Sequence, residues 1–321
     1  MESITAPLTQ FKEQFSFIPR INNETLVEPI TQIIICGMGG SAISVNLLKL
    51  FFPELPLFLH NSYGLPTNYN KAQTLFIINS YSGNTEEALD AFERAIKENV
   101  HVACLSKGGE LIKQAKKYQK MHIELPESSL EPRFSIGHQM IGLLALMHEP
   151  GKISTLKEKV SLISLTKAEE KGEALAKLYK NKYPILYASV NLYPVAYLIK
   201  TAINEGAKTP SFVNIIPESN HNELQSFVTD DLHASSDNFA FLFCVSTYDH
   251  IRILKRFSIM KEMYHEKKFT LSTLETNHTD IFQVLECILI GYYMATYLAI
   301  DKNIDPYSTP FITAFKEKLK N

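Results

Sequence analysis

Two short segments in the first quarter of the chain place glycine and hydroxyl side chains directly after an apolar run. In residues 74–91 (TLFIINSYSGNTEEALDA), Ser80, Ser82 and Thr85 bracket Gly83, and Glu86, Glu87, Leu89 and Phe92 follow with helical spacing. In residues 33–48 (IIICGMGGSAISVNLL), Gly37, Gly39, Gly40 and Ser41 precede a second helical pattern. The start of a helix presents N–H groups without intrahelical partners at the positive end of the dipole, which suits a phosphate. Hydroxyls add donors there without a fixed charge, so the expected ligand is a phosphorylated small molecule. Ser82, Asn84, Thr85 and Glu86 also fit an N-capping pattern with no ligand at all. Two such turns in one domain favour the binding site. The spacing is not that of a dinucleotide fingerprint, because Ala42 stands where the third glycine belongs. A Walker lysine is absent as well.

The second half contains a polar stretch in which carboxylates and a histidine recur, Asn204-Glu205-Gly206-Ala207-Lys208 and then residues 216–223 (IPESNHNE). Glu205 ends an otherwise apolar helical pattern, where the dipole disfavours a negative charge and a raised pKa is expected. Such a carboxylate suits proton abstraction beside a carbonyl. Spacing alone equally allows Glu205 to pair with Lys208 or Lys200, and residues 220–223 to be a polar loop. Glu218, three residues before His221, is the rival base or an orienter of that histidine.

The elements that must position these groups follow from periodicity. Strand-length apolar runs at residues 32–36, 57–60, 74–79 and 100–105 alternate with helical patterns, after a leading helix over residues 1–25. Residues 150–182 are charged and helix-forming. A second alternation then runs through strands at 184–190, 239–245 and 270–274 and helices at 193–205, 251–266, 281–300 and 310–320. This predicts an α/β fold of two tandem halves, 1–152 and 153–321, each a mainly parallel sheet flanked by helices. Both glycine turns fall at carboxyl ends of strands, where ligands bind in such sheets.

Composition narrows the functional classes. The chain has 321 residues, 45% hydrophobic and 21% charged, with a formal net charge of −2. Its basic residues are scattered, which argues against nucleic acid. Cys36, Cys104, Cys244 and Cys287 lie far apart without metal spacing and read as buried thiols of a cytoplasmic protein. The polar start lacks the pattern of a signal peptide. Residues 281–300 are nearly long enough to cross a bilayer, but Gln283, Glu286 and Gly291 inside them point to a buried helix and no membrane partner.

GMGGSAIS at 37–44, SYSGNTEEAL at 80–89, PR at 132–133, NEGAK at 204–208, PESNHNEL at 217–224 and DP…I..FK..L at 305–319 together resemble the bifunctional phosphoglucose/phosphomannose isomerase family. The resemblance runs in order from about residue 30 to the last residues, and it implies two sugar-isomerase (SIS) domains. SYSGNTEE alone is shared by isomerases, aminotransfer enzymes and sugar-phosphate-sensing regulators, whereas the NEGAK and PESNHNE pair is more specific. By resemblance, Gly40, Ser41, Ser80, Ser82 and Thr85 bind the substrate phosphate. Glu205 is the base moving a proton between C1 and C2, and Arg133 stabilises the cis-enediolate. His221, supplied by the neighbouring subunit of a homodimer, assists ring opening together with Lys316. No metal, nucleotide or other cofactor is implied. Thr309, by its distance before Lys316, is the candidate for a small side chain near C2 that admits glucose and mannose 6-phosphates alike. The chain departs from the family pattern at Leu198 after Tyr197, at Tyr292 in the late apolar helix, at His138 after Gly137, and in residues 224–227, which lack the usual glycine. The alternatives are a non-catalytic sugar-phosphate-binding regulator and an isomerase of another phosphorylated or amino sugar.

Overall fold

The structure is a computed structural model that describes residues 4–24, 29–127, 130–227 and 238–319. The chain divides into two compact units, Gln10–Leu162 and Ile163–Asn321, the latter joined by Met1–Thr9.

In the unit of residues 10–162, five parallel strands, β1 (Gln32–Cys36), β2 (Leu57–His60), β3 (Thr74–Asn79), β4 (His101–Ser106) and β5 (Met121–Glu124), lie in the order β2-β1-β3-β4-β5. Every residue of β3 is buried. A central parallel strand covered by helices on both faces has no solvent side, which is why TLFIIN reads as a continuous apolar run. The covering helices include α2 (Gly39–Phe51), α3 (Glu86–Lys97), α4 (Gly109–Lys117) and α5 (Ile136–Leu146), whereas the four-residue α1 (Ala6–Thr9) belongs to the other unit. Ala88, Ala91, Phe92 and Ala95 form the buried stripe of α3 and meet Ile34, Phe76, Ile78 and Val102 of the sheet.

The leading segment is not one helix. After α1 come a 3-10 turn at Glu13–Ser16 and a single antiparallel bridge from Asn22 to His122 of β5. Pro19 lies between turn and bridge and cannot continue a helix, since it has no N–H to donate. The division between units falls after Leu162, later than the junction expected at 152. The reason is α6 (Pro150–Ser161), which buries Leu156 and Val160. Lys152 of α6 also pairs with Glu54 at 3.0 Å, and Lys12 Nζ donates to the Ser161 carbonyl at 2.8 Å.

The second unit contains α7 (Leu165–Leu178), β6 (Tyr183–Ser189), α8 (Tyr193–Gly206), β7 (Phe212–Ile216), β8 (Phe239–Ser246), α9 (Ile251–Glu266), β9 (Thr270–Thr276), α10 (Ile281–Asp301) and α11 (Pro310–Leu319). The expected end of the last helix at Lys320 lies outside the described residues. The four parallel strands are ordered β7-β6-β8-β9. β7 was not expected from the sequence because it is an edge strand, with Phe212 exposed and only Ile216 fully buried. Tyr187, Phe241, Phe243, Phe257 and Tyr264 form an aromatic core on one face of this sheet. On the other, α10 is apolar nearly all round because it packs against both α7 and α8, and 78% of its most apolar window is buried.

The close approach of these helices depends on small residues. A Cβ at Gly291 of α10 would lie 2.3 Å from Ile199 Cγ1 of α8. Gly291→Ala is therefore expected to destabilise the protein by about 1–3 kcal/mol through overpacking. Urea unfolding checks this against Gly151→Ala, where nothing lies within 4 Å and no destabilisation is expected; equal midpoints for the two variants would contradict the packing argument.

Candidate functional site

The two hydroxyl turns converge because β1 pairs with both β2 and β3. The chain leaves β1 through α2 to one side and returns to the other, and Cys36 stands opposite Ile78 in the pairing of β1 with β3. The residues following those two positions, Gly37 to Ser41 and Ser80 to Thr85, consequently share the topological switch point of the sheet. Tyr81 N donates to Ser41 Oγ at 3.3 Å, and Asn79 Nδ2 donates to the Ser41 carbonyl at 3.1 Å. Ser80 Oγ donates to Thr85 Oγ1 at 2.9 Å and accepts from Gly83 N at 3.2 Å. Ser82 is exposed and its hydroxyl accepts from Asn84 N at 3.2 Å. Thr85 is the N-cap residue of α3, yet no side chain caps α3 or α2. Among the described residues the capping bond expected at the start of α3 is therefore not made, and Asn84 Oδ1 instead accepts from Glu110 N in the first turn of α4 at 3.0 Å.

Two glycines are fixed by geometry. Gly83 has φ of +70°, and a Cβ there would stand 1.9 Å from the Gly108 carbonyl oxygen. A Cβ at Gly40 would be 2.8 Å from the Pro132 carbonyl oxygen and 3.2 Å from Arg133 N. The 3-10 turn Pro132–Phe134 is therefore seated against the start of α2, which brings Arg133 beside the hydroxyl turns. Arg133 is 3% exposed, and its guanidinium carbon lies 4.7 Å from the centre of the Phe134 ring.

Glu205 belongs to the other unit and to the opposite kind of place. It sits in the last turn of α8, the crossover helix that carries the chain from the carboxyl end of β6 back to the amino end of β7. It lines a cavity of about 460 Å³ with Asn204, Lys208, Thr309, Pro310 and Phe311. Lys208, at φ of +50°, builds this cavity: its Nζ donates to the carbonyls of Glu205 at 2.5 Å, Asp305 at 3.0 Å and Ser308 at 2.6 Å. A cation at the C-terminal end of α8 satisfies a carbonyl left over by the helix and complements its dipole. Lys302 Nζ adds a bond to Thr209 Oγ1 at 2.5 Å. Asp305, whose carboxyl is held below the usual range by the Tyr307 N–H and Ser308, closes the segment before Thr309. The role of Lys208 as a staple was not read from the sequence; its place four residues from Asn204 in NEGAK was the available signal.

His221 is exposed in the 3-10 turn Glu218–His221, just beyond the carboxyl end of β7. Glu205 precedes the amino end of that strand, so within the unit the two are separated by five strand residues, about 16 Å at ~3.3 Å each. Glu218 is exposed and accepts from Asn222 Nδ2 at 3.2 Å. The segment is anchored by Glu223, which accepts from the Tyr187 hydroxyl at 2.7 Å; burial pushes the Glu223 carboxyl up, and the Tyr187 bond partly offsets it. Lys316 lies on α11, none of whose residues is buried. At the switch point of this second sheet, between β6 and β8, the polar groups engage one another: Ser246 Oγ meets His278 Nδ1 at 2.6 Å, and Asn191 Nδ2 donates to Asp249 at 2.8 Å.

Residues 168–319 match the family model for the bacterial phospho-glucose isomerase C-terminal SIS domain. The chain is 30% identical to a bifunctional phosphoglucose/phosphomannose isomerase of Caldicellulosiruptor bescii, over 99% of this chain and 98% of that protein. This chain belongs to the bifunctional phosphoglucose/phosphomannose isomerase family. A member from Thermoplasma volcanium is likewise 30% identical, with coverage of 97% and 99%. Among solved structures, the tagatose-6-phosphate ketose/aldose isomerase of Escherichia coli superposes with a TM-score of 0.66 at 18% identity, covering 95% of this chain and 89% of that one, which shows a shared fold.

The family departures at Leu198 and Tyr292 are both core residues, in α8 and α10. His138 lies on α5 with its ring edge-on to Phe17, and Nδ1 is buried with no partner among the described residues. Burial brings its pKa down from 6.5 to about 4. The folded state thus holds this imidazole neutral, while the unfolded chain takes up a proton below pH 6.5. His138 costs no stability above that pH and lowers stability progressively as pH falls toward 4. Unfolding midpoints measured at pH 7.5 and 5 should fall less in His138→Phe than in the parent protein; an identical pH dependence would contradict this.

Proposed function

We propose that this protein interconverts glucose 6-phosphate and mannose 6-phosphate with fructose 6-phosphate by ring opening and proton transfer through a cis-enediolate. The observation that carries the reading is the seating of the Arg133 turn on Gly40, beside the hydroxyls of Ser41, Ser80 and Thr85 and two helix starts that no side chain caps. Phosphate bound by those hydroxyls, with Ser82 and the backbone at Gly40, anchors one end of a hexose. A fixed cation then stands ready for the charge that develops when a carbon acid beside a carbonyl loses its proton.

Glu205 is the base in this mechanism. It takes the C2 proton of the open-chain aldose, the electron pair moves to give the enediolate, a proton passes from O2 to O1 across the cis arrangement, and the proton held by Glu205 returns to C1 to form the ketose. His221 and Lys316 assist ring opening, moving the proton between the ring oxygen and the anomeric hydroxyl. Thr309, which lines the same cavity as Glu205, is small enough to leave room for either arrangement at C2. The carboxylate, imidazole, ammonium and guanidinium groups account for each proton and charge without a further group.

The protein acts as a homodimer in this reading, with His221 entering the site of the neighbouring subunit. Two features support it: His221 is exposed and lies at the other end of β7 from Glu205, and α11 beside the cavity leaves Phe311 and Phe315 90% and 61% exposed. Apolar side chains exposed side by side on one helix mark a surface that another chain covers.

The test is NMR of the protein with fructose 6-phosphate in deuterated water. Glucose and mannose 6-phosphates carrying deuterium at C2 are expected. Glu205→Gln should lower turnover by roughly 10²–10⁴-fold with sugar-phosphate affinity retained. Binding without product or exchange in the parent protein would favour a non-catalytic sugar-phosphate binder, and near-normal turnover in the variant would remove Glu205 from its role.

A further inference from the structure

Arg133 stands on a turn of three residues, too short to fix its own position, and the structure shows what holds it. Pro132 contributes a carbonyl but no N–H, and that carbonyl accepts from Ser135 Oγ at 3.0 Å and from Gln139 Nε2 at 3.2 Å. The same Gln139 amide donates to Ser135 Oγ at 3.1 Å, while its Oε1 accepts from Asn79 Nδ2 at 3.4 Å. Asn79 Nδ2 also donates to the carbonyl of Ser41. The far side of the turn is clamped by Gln14, whose Nε2 donates to the Phe134 carbonyl at 2.8 Å and whose Oε1 accepts from Gly137 N at 3.0 Å. Gln14, Asn79 and Gln139 are all at most 2% exposed.

Buried carboxamides of this kind carry a desolvation cost unless their donors and acceptors are met. Here donor and acceptor of both glutamines are engaged, and the partners are the turn that carries Arg133 and, through Asn79, the backbone of Ser41. Neutral amides also fix the turn without adding a counter-charge of their own next to a guanidinium.

We propose that Gln139, bridging Asn79 to the Pro132 carbonyl and assisted by Gln14, is a positioning residue that sets the distance between the phosphate turn and Arg133. This rests on the reading of Arg133 as the group facing the enediolate. Its consequence is specific: loosening Gln139 should leave the phosphate end of the ligand bound while weakening the hold on the charge that develops at C1 and C2.

The experiment compares Gln139→Met and Arg133→Met with the parent protein, using kinetics with fructose 6-phosphate and calorimetry with two probes. Inorganic phosphate reports the hydroxyl turns alone. 5-Phosphoarabinonate places a planar carboxylate where the enediolate forms. For Gln139→Met, kcat is expected to fall about 10–100-fold, as for a catalytic group misplaced by around 1 Å. Affinity for 5-phosphoarabinonate should fall by a similar factor, with phosphate affinity within about twofold of the parent, the pattern of an interaction made only in the transition state. Equal weakening of both probes, or unchanged 5-phosphoarabinonate affinity while Arg133→Met loses it, would overturn the proposal. Unchanged affinity in Arg133→Met would instead show that the reading of Arg133 fails, and the proposal with it. If Gln139→Met does not fold, Gln14→Met, which loses the bonds to the Phe134 carbonyl and Gly137 N without adding a charge, is measured in the same way with the same expectations.

Discussion

The parallel pairing of β1 with β3 is the constraint on which the candidate site depends. Because the chain leaves β1 in one direction and resumes on its other side, two helix starts and two glycine turns end up adjacent although about 40 residues separate them in sequence. The register places Cys36 beside Ile78, so the hydroxyls that follow are brought level by backbone hydrogen bonds inside the sheet. Side chains then need only short reaches. Ser41 touches Tyr81 N, and the Pro132 turn settles on Gly40 because no Cβ intervenes.

The second unit reaches its cavity by a different route. Glu205 is placed by the far end of a crossover helix, and the walls come from the segment after α10, drawn in by Lys208 and Lys302. These are ammonium groups donating to backbone carbonyls and a hydroxyl. Such bonds hold an irregular segment whose own backbone ladder is missing, where an apolar contact would leave the carbonyls unmet. The same sheet geometry that gathers the hydroxyl turns in one unit thus places the carboxylate at the opposite pole of the strands in the other.

Much of the fold was legible because long periodic segments announce themselves. The strands at 32–36, 57–60 and 74–79 and the helix at 251–266 match the expectation residue for residue. What escaped was short or edge-like. β5 is four residues containing His122 and Glu124, and β7 alternates poorly because Phe212 is exposed at the rim. The residues 1–25 read as amphipathic, but Pro19 and the bridge at Asn22 break them into pieces whose buried members, Phe11, Gln14 and Phe15, serve tertiary contacts. For the site, glycine and hydroxyl spacing picked out the two turns that the sheet brings together. Gln14 and Gln139 were silent, because a glutamine acting on a distant carbonyl leaves no local pattern, and Lys208 was visible as a possible partner of Glu205 but not as the staple of residues 305–308.

The two sheets also differ in what their switch points have left to offer. In the first, backbone N–H groups at two helix starts and several hydroxyls converge with no side chain capping the helices. In the second, Ser246, His278, Asn191 and Asp249 have already turned toward one another. The hydroxyls of the first crest are bonded among themselves as well, Ser80 to Thr85 and Ser41 to Tyr81 N, so what sets it apart is the pair of glycine turns beside two helix starts, and a ligand there exchanges internal hydroxyl bonds for its own.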